Sequence, residues 1–179
     1  MNKDIKIQKA DYEIVKKFAD KHFSELFNEP TEISPNELFY GFNEEKLSDL
    51  RNSFTNKRYG FFLYEKEKVI GWHLGVQSKR IIYNMVSSAI IKEFQGNGYY
   101  NFLLAKIISF AKSEGYVAIT SSHSATNNQV LVPKLKQGFY IQGIEIQNNF
   151  GLAVNLIYYL NDNQKNIHEM RVGSRKGDV

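Results

Sequence analysis

Hydrophobic residues recur along the chain first at every second position, then at helical spacing, and the two periods keep exchanging. Ile5 and Ile7 alternate with polar neighbours between Asp4 and Lys9, which predicts a short strand. Asp11 then stands at a capping position before Ile14, Val15, Phe18, His22 and Leu26, the apolar face of a helix closed by Pro30. Ser34-Pro35 predicts a second helical start with Leu38, Phe42, Leu47 and Leu50 inward. Three β-rich segments follow, Tyr59 to Tyr64, Val69 to Val76 and Ile81 to Ile91, separated by the charged run Glu65 to Lys68 and by Ser78-Lys79-Arg80. That punctuation predicts an antiparallel meander. After Gly98 the spacing turns helical through Phe102, Leu103, Ile107, Phe110 and Ala111, with Gly115 as the stop. A strand from Val117 to Ser121, a short helix from Asn128 to Lys136 stopped by Gly138, and two closing strands, Phe139 to Ile146 and Leu152 to Leu160, complete one domain over residues 1–160. Residues 161–179 are polar and are expected to form a loosely ordered tail.

Composition narrows the classes. The 179 residues, 42% of them hydrophobic, supply one core and are too few for two comfortable ones. The net charge of +4 comes from Lys and Arg dispersed among acids, which argues against nucleic acid and suits a polyanionic small molecule. Cysteine is absent, so disulfides, thiolate metal sites and cysteine nucleophiles are excluded, and His22 and His168 are not at metal-ligand spacing. Met1 to Lys9 alternates charge with single apolar residues, unlike a signal peptide, and no apolar run approaches the roughly 18 residues of a membrane span. A cytoplasmic protein without metal or membrane partner is expected.

Chemistry enters at Glu93-Phe94-Gln95-Gly96-Asn97-Gly98-Tyr99-Tyr100, between an apolar strand and an amphipathic helix. Backbone N–H groups at a helix start lack intrahelical partners, the helix dipole adds partial positive charge, and glycines let a phosphate approach closely. A nucleotide P-loop does not fit, because no Lys-Ser or Lys-Thr follows. The dinucleotide fingerprint fails because its third glycine would fall at Asn101 and the preceding strands read as antiparallel.

The loop resembles the pyrophosphate loop of the GNAT superfamily of acyltransferases: Arg or Gln, two residues, Gly, one residue, then Gly or Ala. Gln95, Gly96, Asn97, Gly98, Tyr99 and Tyr100 occupy those positions, and only Tyr100 departs from the pattern. Downstream, Asn127 to Phe139 is similar to the family's Asn turn, short helix and Gly-Phe stop at Gly138-Phe139. The resemblance implies an α/β (α+β) fold, a mixed, mostly antiparallel sheet of about seven strands with about four helices, splayed between the fourth and fifth strands. It implies acetyl-CoA as acyl donor and a primary amine of a small molecule, sugar or peptide as acceptor. The backbone of Ala89, Ile90 and Ile91 would meet the pantetheine arm, and the amide of Ile90 or Ile91 would bind the thioester oxygen. Residues Gln95 to Tyr100 would hold the pyrophosphate and Asn127 would reach the pantetheine. The last strands or the tail leave room for a homodimer.

Proton transfer departs from the family more. Many members carry a Glu on the strand corresponding to Ile81 to Ile91, whereas this strand offers Tyr83, Asn84, Ser87 and Ser88. His123, in register with Ile119 and Ser121, is the replacement base; the structural alternative is a histidine bonded within the turn Ser121 to Ser124. Lys134 stands four residues before Gly138, where the resemblance places a tyrosine general acid, and a thiolate whose acid has a pKa near 8.5 needs little help in leaving. The alternative for Lys134 is a solvated face shared with Lys136. Tyr83 and Tyr140 are substitutes for the acid. Trp72 reads as core, His73 is open, and Glu44, Glu45 and Asp49 suit either a cationic acceptor or an exposed helix face. Tyr100, Lys134 and the missing carboxylate also fit a non-catalytic acyl-CoA-binding or protein-interaction domain.

Overall fold

In the computed structural model, which describes residues 4–26, 56–148 and 151–173, β1 (Ile5–Ala10) turns into α1 (Tyr12–Leu26) at Asp11. The Asp11 carboxylate accepts the amides of Glu13 and Ile14 at 2.9 and 3.2 Å, meeting donors that a helix start leaves open. The expected second helix, with Glu44, Glu45 and Asp49, lies outside the described residues. The meander is present as β2 (Arg58–Glu65), β3 (Lys68–Ser78) and β4 (Ile82–Ile90). Its turns use residues with positive φ, Lys66 in the first and Lys79 and Arg80 in the second. A 3-10 turn (Lys92–Phe94) leads to α2 (Tyr99–Ser113), followed by β5 (Ala118–Ser124), α3 (Asn128–Lys136), β6 (Tyr140–Gln147) and β7 (Gly151–Tyr159).

The strands form one sheet in the order β1-β2-β3-β4-β5-β7-β6. Every neighbouring pair is antiparallel except β4 and β5, which are parallel and pair at their N-terminal ends, where Ile82, Tyr83 and Asn84 meet Ala118, Ile119 and Thr120. β4 continues to Ile90 and β5 to Ser124 without pairing, so the sheet opens into a gap along their C-terminal halves. The mixed sheet, its seven strands and the splay are as the resemblance implied. The two faces of the sheet are buried by different helices. Val15 and Ala19 of α1 pack with Phe62, Trp72, Leu74 and Ala89 on one face, and Leu103, Leu104 and Ile107 of α2 pack with Leu63, Ile70, Tyr83 and Ile119 on the other. Each such large side chain contributes about 1.5–3 kcal/mol on burial. Trp72 is core, fully buried, its indole N–H donating to Ser87 Oγ at 3.1 Å.

Where a loose tail was expected after residue 160, the chain forms α4 (Asp162–Arg171). Asn161 caps it through its side-chain oxygen, accepting from the amides of Asn163 and Gln164 at 3.0 and 3.2 Å. His168 lies against the rings of Tyr140 and Tyr159, with centroids 4.7 and 5.2 Å away, and the Tyr140 hydroxyl donates to Glu169. Capping and aromatic docking thus replace the apolar stripe that the segment lacks. No helix among the described residues is long and apolar enough to cross a membrane.

Candidate active site

The glycine turn is built to keep its amides free. Gly96 and Gly98 have φ of +76° and +78°, a region that side chains disfavour, and a Cβ at either would meet nothing within 4 Å, so both face open space. Asn97 fixes the turn from within: its side-chain amide donates to the carbonyls of Phe94 and Gln95 at 3.2 and 3.1 Å. The N–H groups of Gly96, Asn97 and Gly98 make no hydrogen bond among the described residues, and they directly precede the first turn of α2, whose own amides lack intrahelical acceptors. Tyr99 anchors the helix start, its hydroxyl donating to Glu65.

Upstream, the direction of each β4 amide follows from the ladder. The Ile91 N–H donates to the Ile70 carbonyl at 2.9 Å and is therefore turned toward β3. Backbone groups of an antiparallel strand alternate in direction, so Ile91 and Ala89 face β3 while Ile90 and Ser88 face the gap. The Gln95 side-chain amide donates to the Ile90 carbonyl at 2.9 Å from the gap side, consistent with that assignment. Of the two amides expected to serve as oxyanion donor, only that of Ile90 is available.

Downstream, Asn127 is the N-cap residue of α3 yet makes no side-chain cap bond, and its side-chain amide is uncommitted among the described residues. Pro133 lies inside α3, and with no N–H it leaves the Gln129 carbonyl without its helical partner. These parts enclose a cavity of about 440 Å³. Its wall includes Ala89 and Ile90, then Gln95, Gly96, Gly98, Tyr99 and Tyr100, then Asn127. Ile91 and Asn97 are absent from it. Ser88, Phe94, Gln129 and Pro133 are on the wall and were not singled out as ligand contacts; their signal was only adjacency to the two motifs. The hydroxyl of Tyr100 is buried and has no hydrogen-bond partner among the described residues, and burial raises its pKa. An orphaned hydroxyl, free turn amides, an uncommitted Asn127 and room of ligand size fit a phosphorylated, amide-bearing chain such as coenzyme A.

None of the expected proton-transfer residues is on the cavity wall. Lys134 belongs to no solvated face: it is 1% exposed, with Nζ 3.0 Å from His123 Nε2, 3.4 Å from Met85 Sδ and 5.2 Å from the centre of the Phe139 ring. Burial lowers its pKa to about 7. Burial, and secondarily the charge of Lys134, lower that of His123 to about 3. His123 is therefore bonded to α3 rather than within its own turn, and the two candidates for base and acid are partners. Tyr83 is fully buried and its hydroxyl lies 2.7 Å from His73 Nε2, while His73 Nδ1 lies 2.6 Å from Ser88 Oγ. Tyr140 is committed to Glu169. Among the described residues, no three His, Asp or Glu side chains stand together as a metal site would require.

A family model for the acetyltransferase (GNAT) family matches residues 21–139. No curated protein sequence matches the chain. Solved structures share the fold at low identity. The IAA acetyltransferase from Bacillus cereus is 14% identical, with 87% of this chain and 99% of that chain covered and a TM-score of 0.63. A Bacillus subtilis acetyltransferase in complex with CoA is 13% identical, covering 88% and 100%, with a TM-score of 0.63. The spermidine/spermine N-acetyltransferase SpeG from Vibrio cholerae, solved in mutant forms, is 11% identical, covering 91% and 98%, with a TM-score of 0.63.

Proposed function

The chain belongs to the acetyltransferase (GNAT) family, and from that premise we propose that it is a cytoplasmic enzyme moving an acetyl group from acetyl-CoA to a primary amine. The observation that carries the reading is the coincidence of three features in one cavity: the gap beside β4, the turn with free amides, and the uncommitted Asn127.

In this reading Gly96, Asn97, Gly98 and the first-turn amides of α2 hold the pyrophosphate, while Gln95 fixes the end of β4 through Ile90. Asn127 and the gap-facing backbone of β4 bind the pantetheine amides as an added strand would. The Ile90 N–H points at the thioester oxygen and stabilises it as charge develops there, a contribution of roughly 3 kcal/mol for a preorganised donor. The amine nitrogen attacks the thioester carbon, the new C–N bond forms, the C–S bond breaks, and one proton passes from the amine to the departing thiolate.

His123 and Lys134 are not on the cavity wall, so we assign them the charge balance near the site rather than contact with the reacting atoms. A lysine with a pKa of about 7 holds both protonation states at neutrality, so its charge, and the field it sets up nearby, changes around that pH. The acceptor is a small-molecule, sugar or peptide amine.

The absence of that pair from the cavity wall also supports a second reading, an acyl-CoA-binding domain without turnover. Calorimetric titration with acetyl-CoA, with ATP as control, followed by a thiol-release screen over amines, separates the possibilities. Binding with thiol release supports the enzyme; binding with no release for any amine supports the second reading; no binding of acetyl-CoA or of any other acyl-CoA defeats both and leaves a protein-interaction domain.

A further inference from the structure

Ser88 and Ser87 are adjacent on β4 and face opposite ways. Ser87 Oγ accepts the Trp72 indole N–H on the face covered by α1. Ser88 lines the cavity, and its Oγ lies 2.6 Å from Nδ1 of His73, its cross-strand neighbour on β3. Behind it the chain of contacts continues, from His73 Nε2 to the Tyr83 hydroxyl at 2.7 Å. His73 and Tyr83 have no exposed surface. The space for the phenol exists because residue 75 is glycine, where a Cβ would fall 2.0 Å from the Tyr83 oxygen.

The direction of these hydrogen bonds can be deduced. Burial keeps His73 neutral and the Tyr83 phenol protonated. Among the described residues the Tyr83 O–H has one acceptor, His73 Nε2, and a buried donor takes the acceptor it has. Nε2 is thus the unprotonated nitrogen, and the imidazole proton is on Nδ1, donated to Ser88 Oγ. Ser88 receives an N–H and cannot give its own proton to His73. Its hydroxyl hydrogen is left for the cavity. The arrangement is the reverse of a nucleophile activated by a histidine base: it presents Ser88 as a donor.

We propose that Ser88 is the side-chain hydrogen-bond donor to the acyl carbonyl oxygen, held in that role by His73 and Tyr83 acting as positioning residues. The site lies beside the gap-facing amides of Ser88 and Ile90, so the oxygen would receive side-chain and backbone donors from one strand. No bond to Ser88 is made or broken. The inference rests on the acetyl-transfer reading above.

Two measurements test it. In protein labelled with nitrogen-15 at histidine, long-range proton–nitrogen spectra should show His73 as the Nδ1–H tautomer, and Tyr83→Phe should abolish that preference. Finding His73 as the Nε2–H tautomer would overturn the proposal whether or not the protein turns over. In steady-state kinetics, Ser88→Ala should lower kcat roughly 100-fold, as loss of an oxyanion donor does, with the calorimetric affinity for acetyl-CoA kept within about twofold. Tyr83→Phe should lower kcat about 10-fold alone and add nothing in the Ser88→Ala background. Ser88→Thr, which keeps the hydroxyl, should recover part of the rate, and Ser87→Ala should leave it unchanged. Full turnover by Ser88→Ala, or a loss of affinity as large as the loss of rate, would overturn the role of Ser88 alone. Failure of the unaltered protein to bind acetyl-CoA would instead remove the reading beneath it.

Discussion

Lys134 Nζ and His123 Nε2 are 3.0 Å apart beside Met85 and Phe139, with no carboxylate of the described residues among the contacts of the ammonium nitrogen. An ammonium there has lost its water without gaining a counter-charge, which is why its pKa drops to about 7. The unfolded chain holds that proton up to pH 10.5, so between pH 7 and 10.5 it binds more protons than the native state, and stability rises with pH across that window.

Lys134→Met keeps the length of the side chain and removes the charge. It should stabilise the fold at pH 7 by on the order of 1–4 kcal/mol, and the gain should shrink as pH rises through the window. The same variant should lose the limb near pH 7 from the pH dependence of kcat/KM. Denaturant unfolding at pH 7 and pH 10, and the rate profile, check the two effects; a variant less stable at pH 7 would show that Lys134 is bound more favourably than its surroundings imply.

Acid should destabilise the protein earlier than its carboxylates require. His73 and His123 have native pKa values of about 3 against 6.5 unfolded, so below pH 6.5 the unfolded chain takes up protons that the native state refuses. The stability they allow is complete above pH 6.5 and is lost progressively as pH falls from there toward 3. At pH 5 the loss amounts to about 2 kcal/mol for each histidine. Urea midpoints from pH 7.5 to 4.5 should fall accordingly, and His123→Gln should flatten the slope by about half.

What could be read from the sequence follows physical lines. The glycine turn was legible because backbone freedom at Gly96 and Gly98 cannot be supplied by other residues, and Asn127 because its spacing to Gly138-Phe139 is set by one short helix. The burial of Lys134 was not. Lysine is rarely buried, and a helix with Lys136 two residues on reads as solvated until the rotation of α3 against Met85 and His123 is known. The His73 to Ser88 pairing depends on the register of β3 and β4, which shifts between Leu74 and Gly75 at an irregularity that alternation cannot locate. α4 escaped because its stability comes from the Asn161 cap and from rings contributed by β6 and β7, not from its own pattern.

Gly98→Val should abolish acetyl-CoA binding while leaving the domain folded. Gly98 is the N-cap residue of α2 with φ of +78°, where a side chain costs roughly 1–2 kcal/mol, an amount a domain of this size tolerates. The new branches would occupy the space in front of the amides. Calorimetry should show at least about a 100-fold loss of affinity with the circular dichroism spectrum unchanged; retained affinity would place the phosphates elsewhere.

Tyr100→Phe separates the structural and the binding value of one atom by sign. The Tyr100 hydroxyl is buried with no partner among the described residues, so in the free protein it costs desolvation and returns nothing. Removing it should raise the stability of the unliganded protein by about 1 kcal/mol. If the hydroxyl meets the cofactor chain in the cavity it lines, the same change should weaken acetyl-CoA binding about 5- to 10-fold. Thermal unfolding without ligand and calorimetry with it should therefore move in opposite directions. A variant that is stabilised yet binds as tightly would assign Tyr100 to helix packing alone, and its departure from the small residue at the end of the loop pattern would then be a matter of core filling.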